Sequence, residues 1–187
     1  VNNIIKTVRA RHQGRLIIHS HDWMAGGAIT AYAAATGLPI LHTVHNVFTA
    51  CLPLDHLGGI GLKDITDRLF FSEHEGRTCI DCQATAIKNA TIINFVGERF
   101  LREVVEDYFL DRDLVPPNVR QEVKEKYYHD AARAIINAPS SRIYPERCEA
   151  LIRKYGPDDP VMEAKRDNLV EFQKRTGLAV NPDALLY

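Results

Sequence analysis

His19-Ser20-His21-Asp22-Trp23-Met24-Ala25-Gly26-Gly27 follows directly on the apolar run Leu16-Ile17-Ile18, and Thr43-Val44-His45-Asn46 follows on Pro39-Ile40-Leu41. Each run has the length and content of a buried strand, and each ends in polar side chains capable of chemistry. Between them, residues 25–36 are alanine-rich, a composition that favours helix. Gly37 stands where such a helix would close. The spacing is that of a strand–helix–strand crossover joining parallel strands. It puts Asp22 and His45 at the carboxyl ends of two strands, the edge at which open α/β sheets bind ligands.

The segments outward from this unit continue the alternation. Residues 15–19 and 39–45 are the two predicted strands, and Ile4, Ile5 and Val8 fit a helical face that ends near Gly14. Residues 48–60 read as irregular, broken by Pro53, Gly58 and Gly59. Helices are predicted over residues 62–71 and 79–88, and a third strand over residues 90–96. Phe100, Leu101, Val104, Val105 and Tyr108 recur at helical spacing, Pro116-Pro117 interrupts, and residues 134–136 read as a short fourth strand. From Pro145 onward charged helical segments dominate, at residues 146–155 and 161–176, with Gly177 as a stop. Residues 184–187 look like the first half of a strand. The pattern is an α/β chain with a Rossmann-like parallel sheet, helices on both faces and a helical C-terminal extension. The expected division is 1–144 and 145–187.

Composition narrows the function. The 187 residues hold 45% hydrophobic and 25% charged side chains, with 23 Lys plus Arg against 24 Asp plus Glu. That balance gives no basic field for nucleic acid or a membrane surface, and no apolar run reaches membrane-spanning length. Four cysteines are too few for a disulfide scaffold at this length, so a reducing, cytoplasmic setting is the simpler reading.

His21-Asp22-Trp23 after an apolar strand, the Ala/Gly-rich helix, and Thr43-Val44-His45-Asn46 together resemble the bacterial glycogen and plant starch synthases. Weaker likenesses run on through Lys88-Asn89-Ala90-Thr91, Ile135-Ile136-Asn137, Tyr144-Pro145, Asn168-Leu169 and Gly177-Leu178. The chain departs from the family pattern at Met24, where that family usually has His, and at Ala138, where it has Gly. The resemblance implies two Rossmann-like domains of the GT-B type facing a cleft. This chain would be the second half of the first, acceptor-side domain plus the helical linker into the next. It also implies a retaining glucosyltransferase that moves glucose from ADP-glucose or UDP-glucose to an α-1,4-glucan. Asp22 and His45 would be its catalytic residues, with His21, Trp23 and Asn46 binding substrate. No cofactor or metal beyond the sugar nucleotide is implied. The partners are the donor and the glucan, with no nucleic acid or membrane. The 187 residues alone are expected to be inactive. Two alternatives are a divergent GT-B enzyme with another acceptor and a non-catalytic glucan- or partner-binding domain.

Each residue also has a plainer reading. Asp22 is well placed as a simple helix cap, and His45 as a solvent-facing strand end. His19 and His21 share a strand face by period two, a spacing that a metal site can use, but no third ligand accompanies them. Cys79-Ile80-Asp81-Cys82 at a helix start is the arrangement that lowers a thiolate pKa, yet two buried thiols on one helix account for it as well. Gly26-Gly27 lacks the glycine spacing of a phosphate loop. It suits close helix packing or the approach of a sugar.

Overall fold

The computed structural model describes residues 2–57, 62–108, 110–112 and 114–185. It divides into two compact units, Val1–Asn137 and Ala138–Tyr187.

In the first unit, α1 (Asn2–Arg11) precedes β1 (Ile18–His21). The alanine-rich segment is not one helix but two, α2 (Asp22–Ala25) and α3 (Ala28–Ala35), broken at Gly26-Gly27. The break is steric and conformational. A Cβ on Gly26 would lie 2.6 Å from the Cys82 carbonyl oxygen and 2.8 Å from Ala86 Cβ, and Gly27 sits at φ +60. β2 (Ile40–Val44) then pairs with β1 in parallel, Ile18 opposite Ile40 and His21 opposite Thr43.

A small antiparallel sheet interrupts the alternation. It comprises β3 (Cys51–Pro53), β4 (Phe71–His74) and β5 (Arg77–Asp81), in the order β3-β5-β4. Glu75 and Gly76 both have positive φ, 50 and 73, the geometry of a two-residue hairpin turn. The helix predicted over residues 62–71 is therefore overturned. Only Thr66–Arg68 forms a single 3-10 turn, flanked by Ile65 and Leu69, which bury against Ala28, Ala31 and Ile80. The predicted helix at 79–88 begins later, as α4 (Cys82–Asn89). Its first expected turn is strand because the hairpin pairs Cys79 with Ser72. Gly58 and Gly59 lie outside the described residues.

β6 (Ile92–Phe95), α5 (Glu98–Val105), α6 (Pro117–Tyr128) and β7 (Ala132–Ala134) complete the unit. The main sheet is parallel throughout, in the order β1-β2-β6-β7. Pro117 does not interrupt a helix but opens α6, where its missing N–H costs nothing. The fourth strand lies two residues earlier than the sequence suggests, and Ile135 and Ile136 are exposed. Ile40, Val44, Ile93 and Phe95 from the sheet pack with Ala84 and Ile87 of α4, Leu101 and Val104 of α5, and Val119 and Val123 of α6. This is the α/β fold with a parallel sheet flanked by helices that the opening motif pair predicts. The alternate side chains of β1, His19 and His21, point away from that core and are exposed.

Lys126 Nζ donates to the Lys88 and Ala90 carbonyl oxygens at 3.1 and 2.5 Å, closing the end of α4.

In the second unit, α7 (Val161–Thr176) has the predicted bounds, and Gly177 ends it at φ 73. The predicted helix over residues 146–155 does not form. Isolated turns replace it, and the backbone of Arg153 is held by Asn168 of α7. Its N–H donates to Asn168 Oδ1 at 3.1 Å, and its carbonyl accepts from Asn168 Nδ2 at 2.8 Å. Ala184 and Leu185 are not in a strand, and Leu186-Tyr187 lie outside the described residues. No helix among the described residues is long and apolar enough to cross a membrane.

Candidate active site

Parallel pairing of β1 with β2 brings the two polar motifs side by side at the carboxyl edge of the sheet. His21 Nδ1 lies 3.1 Å from His45 Nε2, and His19 Nε2 lies 2.9 Å from the Thr43 hydroxyl. The His19 and His21 rings are 4.2 Å apart, centre to centre. Burial, and then the neighbouring His21 and His45, lower the His19 pKa from its ordinary value.

Asp22 is not a helix cap. No side-chain bond caps α2, whose N-cap position falls at His21. The Asp22 carboxylate is buried and bridges to the second strand end instead. Oδ1 accepts the His45 N–H at 2.7 Å and the Asn46 N–H at 3.4 Å, while Oδ2 accepts from Asn46 Nδ2 at 3.4 Å. Asp22 takes φ 48, a conformation that Asp tolerates better than most residues. Asn46 Oδ1 in turn accepts the Phe48 N–H at 2.9 Å. The structure thus joins His21, Asp22, His45 and Asn46 in one network. Trp23 follows in the chain, half-buried, and makes no hydrogen bond to this network among the described residues. Met24 is 70% exposed.

A second layer lies beneath, and no motif marks it in the sequence. Ser20 Oγ lies 2.9 Å from Nδ1 of His42, and both residues are buried on the core side of the sheet. Burial pushes the His42 pKa down from 6.5 to about 4, partly offset by the Asp22 carboxylate. The only warning in sequence was a histidine inside the apolar strand. Because the folded pKa lies below the unfolded one, the unfolded chain takes up a proton in this range that the native chain refuses. The stability contribution is complete above pH 6.5 and drains as pH falls toward 4, by on the order of 3 kcal/mol. Urea denaturation at pH 7.5 and 4.5 is expected to show that loss, and His42→Asn to flatten part of it. Equal slopes for both proteins would contradict this.

The cysteine motif lacks the surroundings that activate a thiol. Cys79 lies on β5 and Cys82 opens α4, so the two thiols are not on one helix. Burial raises both, Cys82 to about 11, whereas a reactive thiol is lowered. An aromatic disulfide reagent at pH 8 is expected to label Cys51 and Cys148 first, and Cys79 and Cys82 only on unfolding. Immediate labelling of all four would refute this. Among the described residues, no group of three or more His, Cys, Asp and Glu side chains is placed to hold a metal ion.

Residues 2–115 match the family model of the starch synthase catalytic domain. A glycogen synthase of Glaesserella parasuis serovar 5 (strain SH0165) is 24% identical over 179 residues, which cover 91% of this chain. The chain spans 34% of that relative's length.

Proposed function

Since the chain belongs to the starch synthase catalytic domain family, we propose that it supplies the sugar-side wall of a retaining glucosyltransferase. Glucose would pass from ADP-glucose or UDP-glucose to the end of an α-1,4-glucan, in a reducing, cytoplasmic setting. The observation that carries this reading is the Asp22-clamped turn that presents His45 beside His21 at the sheet's carboxyl edge.

Breaking the bond from glucose C1 to the diphosphate puts positive charge on the sugar ring. Oriented dipoles fixed in advance stabilise such charge better than water does. His45 suits that task. Its Nε2 is engaged with His21, and its Nδ1 has no partner among the described residues, leaving it for a sugar hydroxyl. Among the described residues, Asp22 Oδ2 makes one long contact, to Asn46 Nδ2, and keeps a lone pair for a second hydroxyl. Trp23 lines the cleft, and Asn46 fixes the turn. No metal enters this scheme, and the sugar nucleotide is substrate. The 187 residues alone, a third of the relative's length, are expected to give no transfer.

The test is transfer of labelled glucose from each sugar nucleotide to malto-oligosaccharide by the protein of the full reading frame. His45→Ala is expected to lower kcat by about a hundredfold or more. A variant as active as the parent would sink the role of His45, and no transfer from either donor would sink the activity. Malto-oligosaccharide binding that survives both Asp22→Ala and His45→Ala, without transfer, would point to a non-catalytic domain.

A further inference from the structure

The turn that carries His45 is gripped from a second side, by α4. Gln83, the second residue of that helix, is completely buried. Its Nε2 donates to the Asn46 carbonyl at 3.3 Å, and its backbone N–H donates to the Thr49 hydroxyl at 3.0 Å. The Thr49 hydroxyl donates to Asp81 Oδ1 at 2.5 Å, and the same oxygen caps α4 by accepting the Ala84 N–H at 3.0 Å. Asn46 is therefore tied at its N–H by Asp22 and at its carbonyl by Gln83. The two groups belong to successive peptide planes, so the backbone on both sides of Asn46 is held, and with it the strand end from which the His45 ring projects.

The other end of the Gln83 amide lies beside the His42 ring. His42 Nε2 and Gln83 Oε1 are both buried without a hydrogen-bond partner among the described residues, on side chains that neighbour each other. With the proton on Nε2, Nδ1 is left to accept from the Ser20 hydroxyl. An apolar residue would fill this buried space more cheaply than an amide does.

We propose that Gln83 is a positioning residue for the reaction assigned to this site, holding the Asn46 carbonyl so that His45 keeps its pairing with His21. The proposal rests on the glucosyltransferase reading for its purpose, but not for its geometry. Nothing in the opening motifs contains Gln83, which is 37 residues from Asn46 in the chain.

The experiment uses the full-length protein and Gln83→Met, which keeps the side chain's length and deletes its polar end. Amide exchange at His45 and Asn46 is expected to accelerate by about tenfold, and the His45 and His21 imidazole nitrogen signals to shift, at unchanged helix content. In the transfer assay, kcat per folded molecule falls by about tenfold while KM for both substrates stays within about twofold. A residue that only filled space would leave the imidazole signals and kcat alone. If Gln83→Met does not fold, Thr49→Val removes the companion tie and is expected to act in the same direction. Unchanged exchange and imidazole signals in the variant that folds overturn the proposal. If the parent shows no transfer, the functional reading fails, while the exchange and imidazole data still decide the role of Gln83.

Discussion

Asp22→Ala is expected to cost about 2–4 kcal/mol of folding stability and to remove glucosyl transfer. The carboxylate takes two backbone N–H groups, His45 and Asn46, from a strand end other than its own. Deleting it strands both donors, and a half-buried orphan donor costs about 1–3 kcal/mol. Alanine also sits poorly at φ 48. Three substitutions separate these effects. Asp22→Gly relieves the backbone but leaves the donors orphaned, so it recovers only about 1 kcal/mol relative to alanine. Asp22→Asn keeps one acceptor oxygen but turns an N–H₂ toward Asn46 Nδ2, and should fall between parent and alanine. Urea denaturation gives the order. If asparagine and alanine were equally stable, the bridge to His45 would not be what Asp22 contributes.

Among the described glycines, Gly26→Ala is expected to be the most damaging substitution by alanine, at about 3 kcal/mol or more. The new Cβ would press on the Cys82 carbonyl at 2.6 Å and Ala86 Cβ at 2.8 Å, and neither can swing aside. Gly27→Ala fails differently, through φ +60 and a 3.1 Å approach to Cys82 Sγ. Cys82→Ala should therefore relieve part of the Gly27→Ala defect and none of the Gly26→Ala defect, because the latter meets backbone. Melting of the two double variants distinguishes these cases. Rescue of Gly26→Ala by Cys82→Ala would show that the clash is with the sulfur after all.

The strand ends were legible because their chemistry is written locally: an apolar run followed by His-Asp-Trp or His-Asn. The helix at residues 161–176 was legible for the same reason, with Gly177 as its stop. The antiparallel insertion was not. Its turn is Glu75-Gly76, and glutamate carries little of the left-handed preference that marks Asn-Gly or Asp-Gly hairpins. With the hairpin unmarked in sequence, Cys79 reads as helical, and residues 62–71 read as a helix where a single 3-10 turn forms. Asp22 illustrates a different limit. Its position in sequence suits a cap, and only the parallel pairing of β1 with β2 shows a better partner across the sheet. Gln83 and His42 carry no motif, since their role exists only once α4 lies against the turn.

That last arrangement has a bearing on how the protein assembles. The ties on the His45 turn link residues 23, 34 and 37 positions apart in sequence. Contacts of long sequence separation form late, because loop closure precedes any reward. Local helices are therefore expected to appear first in refolding, and the turn to reach its final geometry only when α4 docks. Stopped-flow circular dichroism should run ahead of the imidazole signals of His21 and His45, so the chain acquires its shape before it acquires its chemistry.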